Sequence, residues 1–264
     1  MATGDVAVNR DHKTIVREEF TRQADSYASA AIITDEDRLA KLVAAINPSV
    51  SDRAIEVATG PGYVAMALAK RCAEVVGVDL TEAPLKIAER TRQQRVLGNV
   101  SFRTGDAENL PFGDAEFDIA VCRFAFHHFE EPARVLGEMC RVCRPGATIA
   151  VEDLYSSEVA ERSNYYNHFE RLRDHSHTRA LPPSGLIALL ARSRVEIQRL
   201  YSDELVVDVE SWLQTAQDSA DAAEVRRLLD DDMRTDLSGT RPFMREGKML
   251  FHQRTIALVG RKLN

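Results

Sequence analysis

The stretch Ile55-Glu56-Val57-Ala58-Thr59-Gly60-Pro61-Gly62 decides how this chain folds. Its apolar positions, interrupted by one acid, read as a short strand. The two glycines flanking Pro61 make a tight turn that opens a helix. A second strand, Val75-Val76-Gly77-Val78, ends in Asp79. Strand, glycine turn, helix and a second strand with an acidic end together describe a nucleoside-binding crevice at the carboxyl edge of a parallel sheet.

Outward from that turn, the pattern predicts strands near 53–58, 74–79, 100–105, 117–122 and 147–153, alternating with helices near 62–72, 82–97 and 132–143. Such alternation means βαβ crossovers and a sheet covered on both faces. Upstream, residues 11–46 read as helical, with Ile15, Val16, Phe20 and Tyr27 on one face and Leu39, Leu42, Val43 and Ile46 repeating it until Pro48. Downstream, helices are expected at 157–175 and around Leu186–Leu190. A strand is expected at 195–201, two charged helices at 209–236 and a final strand at 251–259. The fold class is therefore α/β: a Rossmann-like, doubly wound, mostly parallel seven-stranded sheet whose last strand runs antiparallel, plus a helical cap. The expected organisation is an N-terminal helical cap over 1–48 and a main domain over 49–264, with cap insertions at about 154–194 and 202–249.

The composition excludes several classes of function. A formal charge of -7 over 264 residues argues against a nucleic-acid partner. No apolar run approaches the roughly 18 residues that span a bilayer. Met1 to His12 is polar and lacks a signal-peptide core, so a cytoplasmic location is expected. Of four cysteines, Cys140 and Cys143 form a lone C-x-x-C in the last turn of a predicted helix. A zinc site would want a second pair. The cysteines therefore read as small apolar fillers, and no metal is expected.

Glycines alone leave a dinucleotide possible, because Gly60, Gly62 and Ala65 satisfy the G-x-G-x-x-G/A fingerprint. Three acids point elsewhere. Glu56 would oppose a pyrophosphate but suits an ammonium group. Asp79, with Leu80 beside it, is placed to hold both ribose hydroxyls. Asp106, with Ala107 beside it in Gly105-Asp106-Ala107-Glu108-Asn109-Leu110-Pro111-Phe112, could accept from an adenine amine. A cofactor with an amine, a ribose and an adenine but no phosphate is S-adenosylmethionine, whose sulfonium favours an acidic, aromatic-lined pocket.

These motifs, together with Phe117–Phe129 and Arg141–Ala147, resemble the class I S-adenosylmethionine-dependent methyltransferases, in particular the ubiquinone/menaquinone-biosynthesis-like branch. The resemblance covers roughly residues 13–155, with five motifs in order. Glu56 stands for the branch's usual Asp, and Ala58-Thr59 for its more common Gly-Cys. The resemblance implies that the backbone around Ala58 and Gly60 lines the methionine moiety, that Arg123 and Phe124 lie beside the cofactor, and that Tyr27 closes over it.

Two stretches are candidates for the reacting centre. His127 and His128 follow the fourth strand at the ligand-binding edge, and imidazole suits a general base. Arg171, Arg173, His175, His177 and Arg179 gather cationic donors beyond the fifth strand, suited to an anionic acceptor, with His177 a further base candidate. Tyr155, Tyr165 and Tyr166 could line the acceptor pocket. The expected function is methylation of carbon or oxygen on a small-molecule acceptor, in specialised or quinone-like metabolism, by a chain that could be a homodimer. Two alternatives keep the cofactor site: a non-methylating cyclisation or decarboxylation, and a non-catalytic cofactor-binding regulator.

Overall fold

Strands β1 (Arg53–Val57), β2 (Glu74–Asp79), β3 (Val100–Thr104), β4 (Phe117–Arg123) and β5 (Cys143–Leu154) pair in parallel in the computed structural model. It describes residues 11–216 and 218–264. Residues 1–10, which open the expected 1–48 cap, and Gln217 in the expected 209–236 segment lie outside them. Strand β8 (Lys248–Lys262) joins β5 antiparallel, and β6 (Val195–Asp208) joins β8 antiparallel. The sheet order is β3-β2-β1-β4-β5-β8-β6. Seven strands and one reversed strand match the expected fold class.

An eighth strand, β7 (Phe243–Arg245), pairs with the start of β8. Its three residues are too short for a period-2 pattern to reveal. The turn is built on Glu246 and Gly247, both at positive φ, as a two-residue hairpin turn requires. Strand β6 also runs past the expected 195–201 to Asp208, and β8 begins three residues before the expected 251. The first part of the 202–249 segment is therefore sheet. Charged residues hid that extension, and they are paired outside it: Asp203 with Lys41 at 2.7 Å, and Glu204 with Arg241.

Helices α5 (Tyr63–Ala69), α6 (Glu82–Gln94) and α7 (Pro132–Val142) cross between the parallel strands. Cys140 falls in the last turn of α7, as expected, but Cys143 is the first residue of β5. That strand starts before 147 because a register shift opposite Phe117–Ile119 and Gly146 at φ 77 let it pair early. All four cysteines are buried and free. The 11–46 region is four helices rather than two: α1 (His12–Arg22), α2 (Ala24–Ser29), α3 (Ala31–Thr34) and α4 (Glu36–Ile46). Asp35 caps α4, its Oδ1 accepting from the amides of Asp37 and Arg38.

Ile55, Val57, Phe117, Leu136 and Ile149 pack on one sheet face; Leu42, Met66, Leu68, Val75 and Val121 pack on the other. A third core lies beyond the carboxyl edge. It joins Ile33, Phe124 and Leu154 to helices α8 (Ala160–Arg173), α10 (Val209–Leu213) and α11 (Ser219–Thr235) through Tyr166, Phe169, Leu213, Val225, Leu229 and Phe251. Trp212 bridges it, its ring centroid 6.0 Å from Phe169 and 4.9 Å from Phe251. Helix α9 (Pro183–Arg192) packs instead against the main sheet core through Leu186 and Leu190. Among the described residues no helix is long and apolar enough to cross a membrane.

Candidate functional site

The turn after β1 is held in an uncommon conformation. Ala58 and Gly60 lie at φ 55 and 52, and Phe124, at the end of neighbouring β4, lies at φ 53. A non-glycine residue there costs about 1–3 kcal/mol, and such residues cluster at functional sites. Gly62, at φ 78, has no room for a side chain, since a Cβ would stand 2.5 Å from the Phe102 ring. Glu56 fixes the turn from below. Its Oε2 accepts from Thr59 Oγ1 at 2.5 Å and from the Ala65 amide at 2.7 Å. Burial pushes its pKa up to about 7, against those two hydrogen bonds.

Above the turn opens a cleft lined among others by Tyr27, Ala58, Gly60, Asp79, Leu80, Asp106, Ala107, Phe124 and His128. Glu56 and Arg123 line a smaller recess that shares Tyr27, Ala58, Gly60 and Phe124 with this cleft. The Asp79 carboxylate accepts from the Gly60 and Thr81 amides, each at 2.8 Å. Burial raises its pKa to about 6. Arg123 is fully engaged: Nε donates to Glu152 at 3.0 Å, and the fork reaches the carbonyls of Ile32 and Ile33, tying α3 to the sheet. Ten of the eleven predicted cofactor residues thus line one of these two spaces. The eleventh, Gly62, shapes the turn itself.

Helix α1 supplies a wall that no motif announced. His12, Lys13, Val16 and Phe20 line the cleft. Lys13 Nζ lies 2.7 Å from Asp106 and 2.8 Å from Glu108, and His12 Nε2 donates to the His128 carbonyl at 2.9 Å. The only sequence trace was the apolar face of Val16 and Phe20.

Phe20, Tyr27, Phe124 and His128 also line a second, larger cavity. Its floor holds His127 and His128, which make different bonds. The His127 amide and Nδ1 both reach Asp153, at 2.9 and 2.5 Å. Burial pulls this imidazolium down, but the Asp153 charge and hydrogen bond outweigh it and hold the pKa above the ordinary value. His128 Nδ1 donates to the Ser176 carbonyl at 3.0 Å. Burial, reinforced by His127, lowers its pKa to about 4. Neither Nε2 has a protein partner among the described residues, and neither is sealed in, so both open on the cavity.

The 170–179 stretch comes to the same place but divides. The Thr178 and Arg179 amides donate to the His127 carbonyl, so this loop braces the histidine pair. His177 is 2% exposed and sits behind His127, with ring centroids 5.4 Å apart. Its Nε2 donates to Asn167 Oδ1 at 2.8 Å, and burial lowers its pKa well below the ordinary value. It lines neither the cleft nor the second cavity. Arg173 does line the second cavity, but its fork is spent on Glu170 at 3.2 Å and Thr215 at 2.9 Å, over the Trp212 ring. Arg171 and His175 turn outward, to the Thr178 carbonyl and to Asp221.

The predicted tyrosines line neither the cleft nor the second cavity. Tyr155 packs on the sheet core beneath Arg254, and Tyr165 donates to the Leu228 carbonyl. Tyr166 is 1% exposed inside the cap core. An aromatic residue on an amphipathic helix reads the same whether it faces a ligand or a core, so the pattern could not separate them.

A family model described as a methyltransferase domain matches residues 55–151, from β1 to β5. The chain is 29% identical over 202 residues to an uncharacterized methyltransferase, YcgJ, of Bacillus subtilis, covering 76% of this chain and 80% of that one. It is 41% identical over 101 residues to a demethylmenaquinone methyltransferase of Thermus thermophilus, covering 38% of this chain and 46% of that protein. The crystal structure of a methyltransferase candidate from Bacillus halodurans superposes with a TM-score of 0.80 at 30% identity, covering 86% of this chain and all of the other. The acidic cleft above the glycine turn, with its strained Ala58 and Phe124, fits a nucleoside sulfonium, and among the described residues no basic cradle for a pyrophosphate lies at that turn. The chain belongs to the class I S-adenosylmethionine-dependent methyltransferases, in the branch that resembles the demethylmenaquinone enzymes.

Proposed function

We propose that the protein methylates a hydroxyl oxygen of a small-molecule acceptor, with the His127–Asp153 pair as general base. The observation that carries this reading is the pair itself. Asp153 holds His127 Nδ1–H, which leaves the Nε2 lone pair open to the cavity that adjoins the cofactor cleft. S-adenosylmethionine supplies an activated methyl group on its sulfonium.

In the cleft, Asp79 would accept from the ribose hydroxyls and Asp106 from the adenine amine. Ala58, Gly60 and Phe124 would present backbone to the methionine end, with Glu56 and Arg123 lining the recess behind it. His128 stays neutral at the border of the two spaces and accepts a hydrogen bond that orients the acceptor. His127 Nε2 would take the acceptor's hydroxyl proton as the bound sulfonium supplied its methyl group to the oxygen. The Asp153 carboxylate stabilises the imidazolium that results. Tyr27 and Phe20 exclude water across the shared wall.

The test is a panel of phenols and alcohols with S-adenosylmethionine, scored for S-adenosylhomocysteine and for a methylated product by mass. His127→Ala should lower kcat by roughly 10²- to 10⁴-fold. Unchanged turnover in that variant removes the base. A transformed product that gains no methyl supports the non-methylating alternative.

A further inference from the structure

Of the three glutamines that line the second cavity, none in a motif, Gln214 is exposed and the other two are buried. Gln23 sits at the junction of α1 and α2 and is 4% exposed; Gln253 lies in β8 and is 6% exposed. Neither side-chain amide has a protein hydrogen-bond partner among the described residues, yet neither is sealed in. Both amides therefore open on the cavity. An amide that opens on a cavity inside the protein with no protein partner is positioned to bond a ligand there.

The charges around the cavity narrow the ligand further. Arg173 is its one lysine or arginine among the described lining residues, and its fork is committed to Glu170 and Thr215. Asp174 lies 3.7 Å from Arg173, and Asp174 and Asp208 both line the cavity. Glu19 and Glu170, both fully buried, stand close by. An incoming carboxylate or phosphate would meet carboxylates, and the cations it reaches, Arg173 and a protonated His127, are already paired with Glu170 and Asp153. The rest of the wall mixes apolar side chains, including Ile32, Ile33, Leu154 and Trp212, with neutral hydroxyls such as Ser26, Ser29 and Ser211.

We propose that Gln23 and Gln253 orient the acceptor, and that the acceptor is uncharged, apolar in its body and bears hydroxyl or carbonyl groups at these two positions. An amide offers a donor and an acceptor side by side, which matches a hydroxyl and mismatches an anion that only accepts. The inference rests on the second cavity being the acceptor site. It replaces the anion hook expected of Arg173 with two neutral ones.

Calorimetry on the full chain saturated with S-adenosylhomocysteine tests it, with 2,6-dihydroxynaphthalene and 6-hydroxy-2-naphthoate as probes. The neutral diol should bind at least roughly 10-fold tighter than the carboxylate, and Gln23→Leu and Gln253→Leu should each weaken the diol by roughly 10-fold. Neither variant should change the affinity for S-adenosylhomocysteine, which also reports that each is folded. Gln253→Met serves if Leu disturbs β8. Equal or tighter binding of the carboxylate, or full diol affinity in both variants, overturns the proposal. Absence of S-adenosylhomocysteine binding by the unmodified chain would instead overturn the cofactor reading, and this inference with it.

Discussion

The cleft and the second cavity, proposed here for cofactor and acceptor, share Phe20, Tyr27, Phe124 and His128 as a common wall, yet they are made of different material. Most of the cleft is backbone and strand ends from residues 58–130: Ala58 and Phe124 in the left-handed region, glycines at the turn, and Asp79 accepting from the turn's Gly60 amide. The cavity is made of side chains from six separated segments, between Phe20 in α1 and Gln253 in β8. A nucleoside has one shape, so a local turn suffices to hold it. An acceptor is recognised by whichever side chains the cap brings together, and those can vary without disturbing the sheet.

Breaking the chemistry should separate the two regions most sharply. Asp153→Asn should lower kcat by roughly 10²- to 10³-fold while leaving S-adenosylhomocysteine affinity unchanged. Because His127 must be neutral to accept a proton and Asp153 holds its pKa above 6.5, the rate should fall as pH is lowered through a midpoint above that value. A pH-independent rate between 6 and 8 (roughly one unit either side of neutrality) would count against the base.

The cap's independence is tested next. Phe169→Ala removes a fully buried ring from the third core and should cost about 3–5 kcal/mol, seen in chemical denaturation. If the two regions are as separate as their construction suggests, the folded variant still binds S-adenosylhomocysteine. Loss of that binding under conditions where the sheet remains folded would show that the cap supports the cleft.

On the cofactor side, Asp79→Asn should weaken S-adenosylhomocysteine by roughly 10-fold, as expected when a charged acceptor of hydrogen bonds is lost. Its sign with pH is definite. Burial raises the Asp79 pKa to about 6, so below that value the group is protonated and no longer accepts from both ribose hydroxyls. Affinity should fall as pH drops through about 6. Stability of the free protein moves the other way: the contribution from this raised pKa is lost as pH rises through about 6. Parallel titrations of affinity and melting temperature would check the opposition.

The smallest effect is expected at Lys13, whose side chain is 30% exposed. Removing its ion pairs with Asp106 and Glu108 in Lys13→Met is worth under about 1 kcal/mol. The association rate of S-adenosylhomocysteine should rise by no more than roughly 5-fold, the ratio that such an energy allows. A slower association in stopped-flow would mean that Lys13 helps to hold the nucleoside rather than standing in its place.

Much of the cleft was legible because its residues are close in sequence and each serves a backbone requirement. Ile55–Gly62, Asp79 and Gly105–Phe112 each mark a strand end, and strand ends share one edge once the crossovers are right-handed. The element boundaries were less legible where two signals conflicted. Charged Asp203 and Glu204 concealed the run of β6 to Asp208, and the four helices of the 11–46 region share one apolar pattern that does not show their breaks. In the cap, Tyr155, Tyr165 and Tyr166 carried the same pattern that a ligand pocket would, and went into cores instead.

The sequence by itself determined the sheet, the glycine turn and the acids around it, because period-2 and period-3.6 burial and positive-φ turns are local demands. Only the tertiary structure decided which nitrogen of His127 faces the second cavity, that Arg173 is already spent, and that Gln23 and Gln253, 230 positions apart in the chain, open on that same cavity. Hydrogen-bond partners and charge balance depend on which segments meet in space, and no local pattern encodes that meeting.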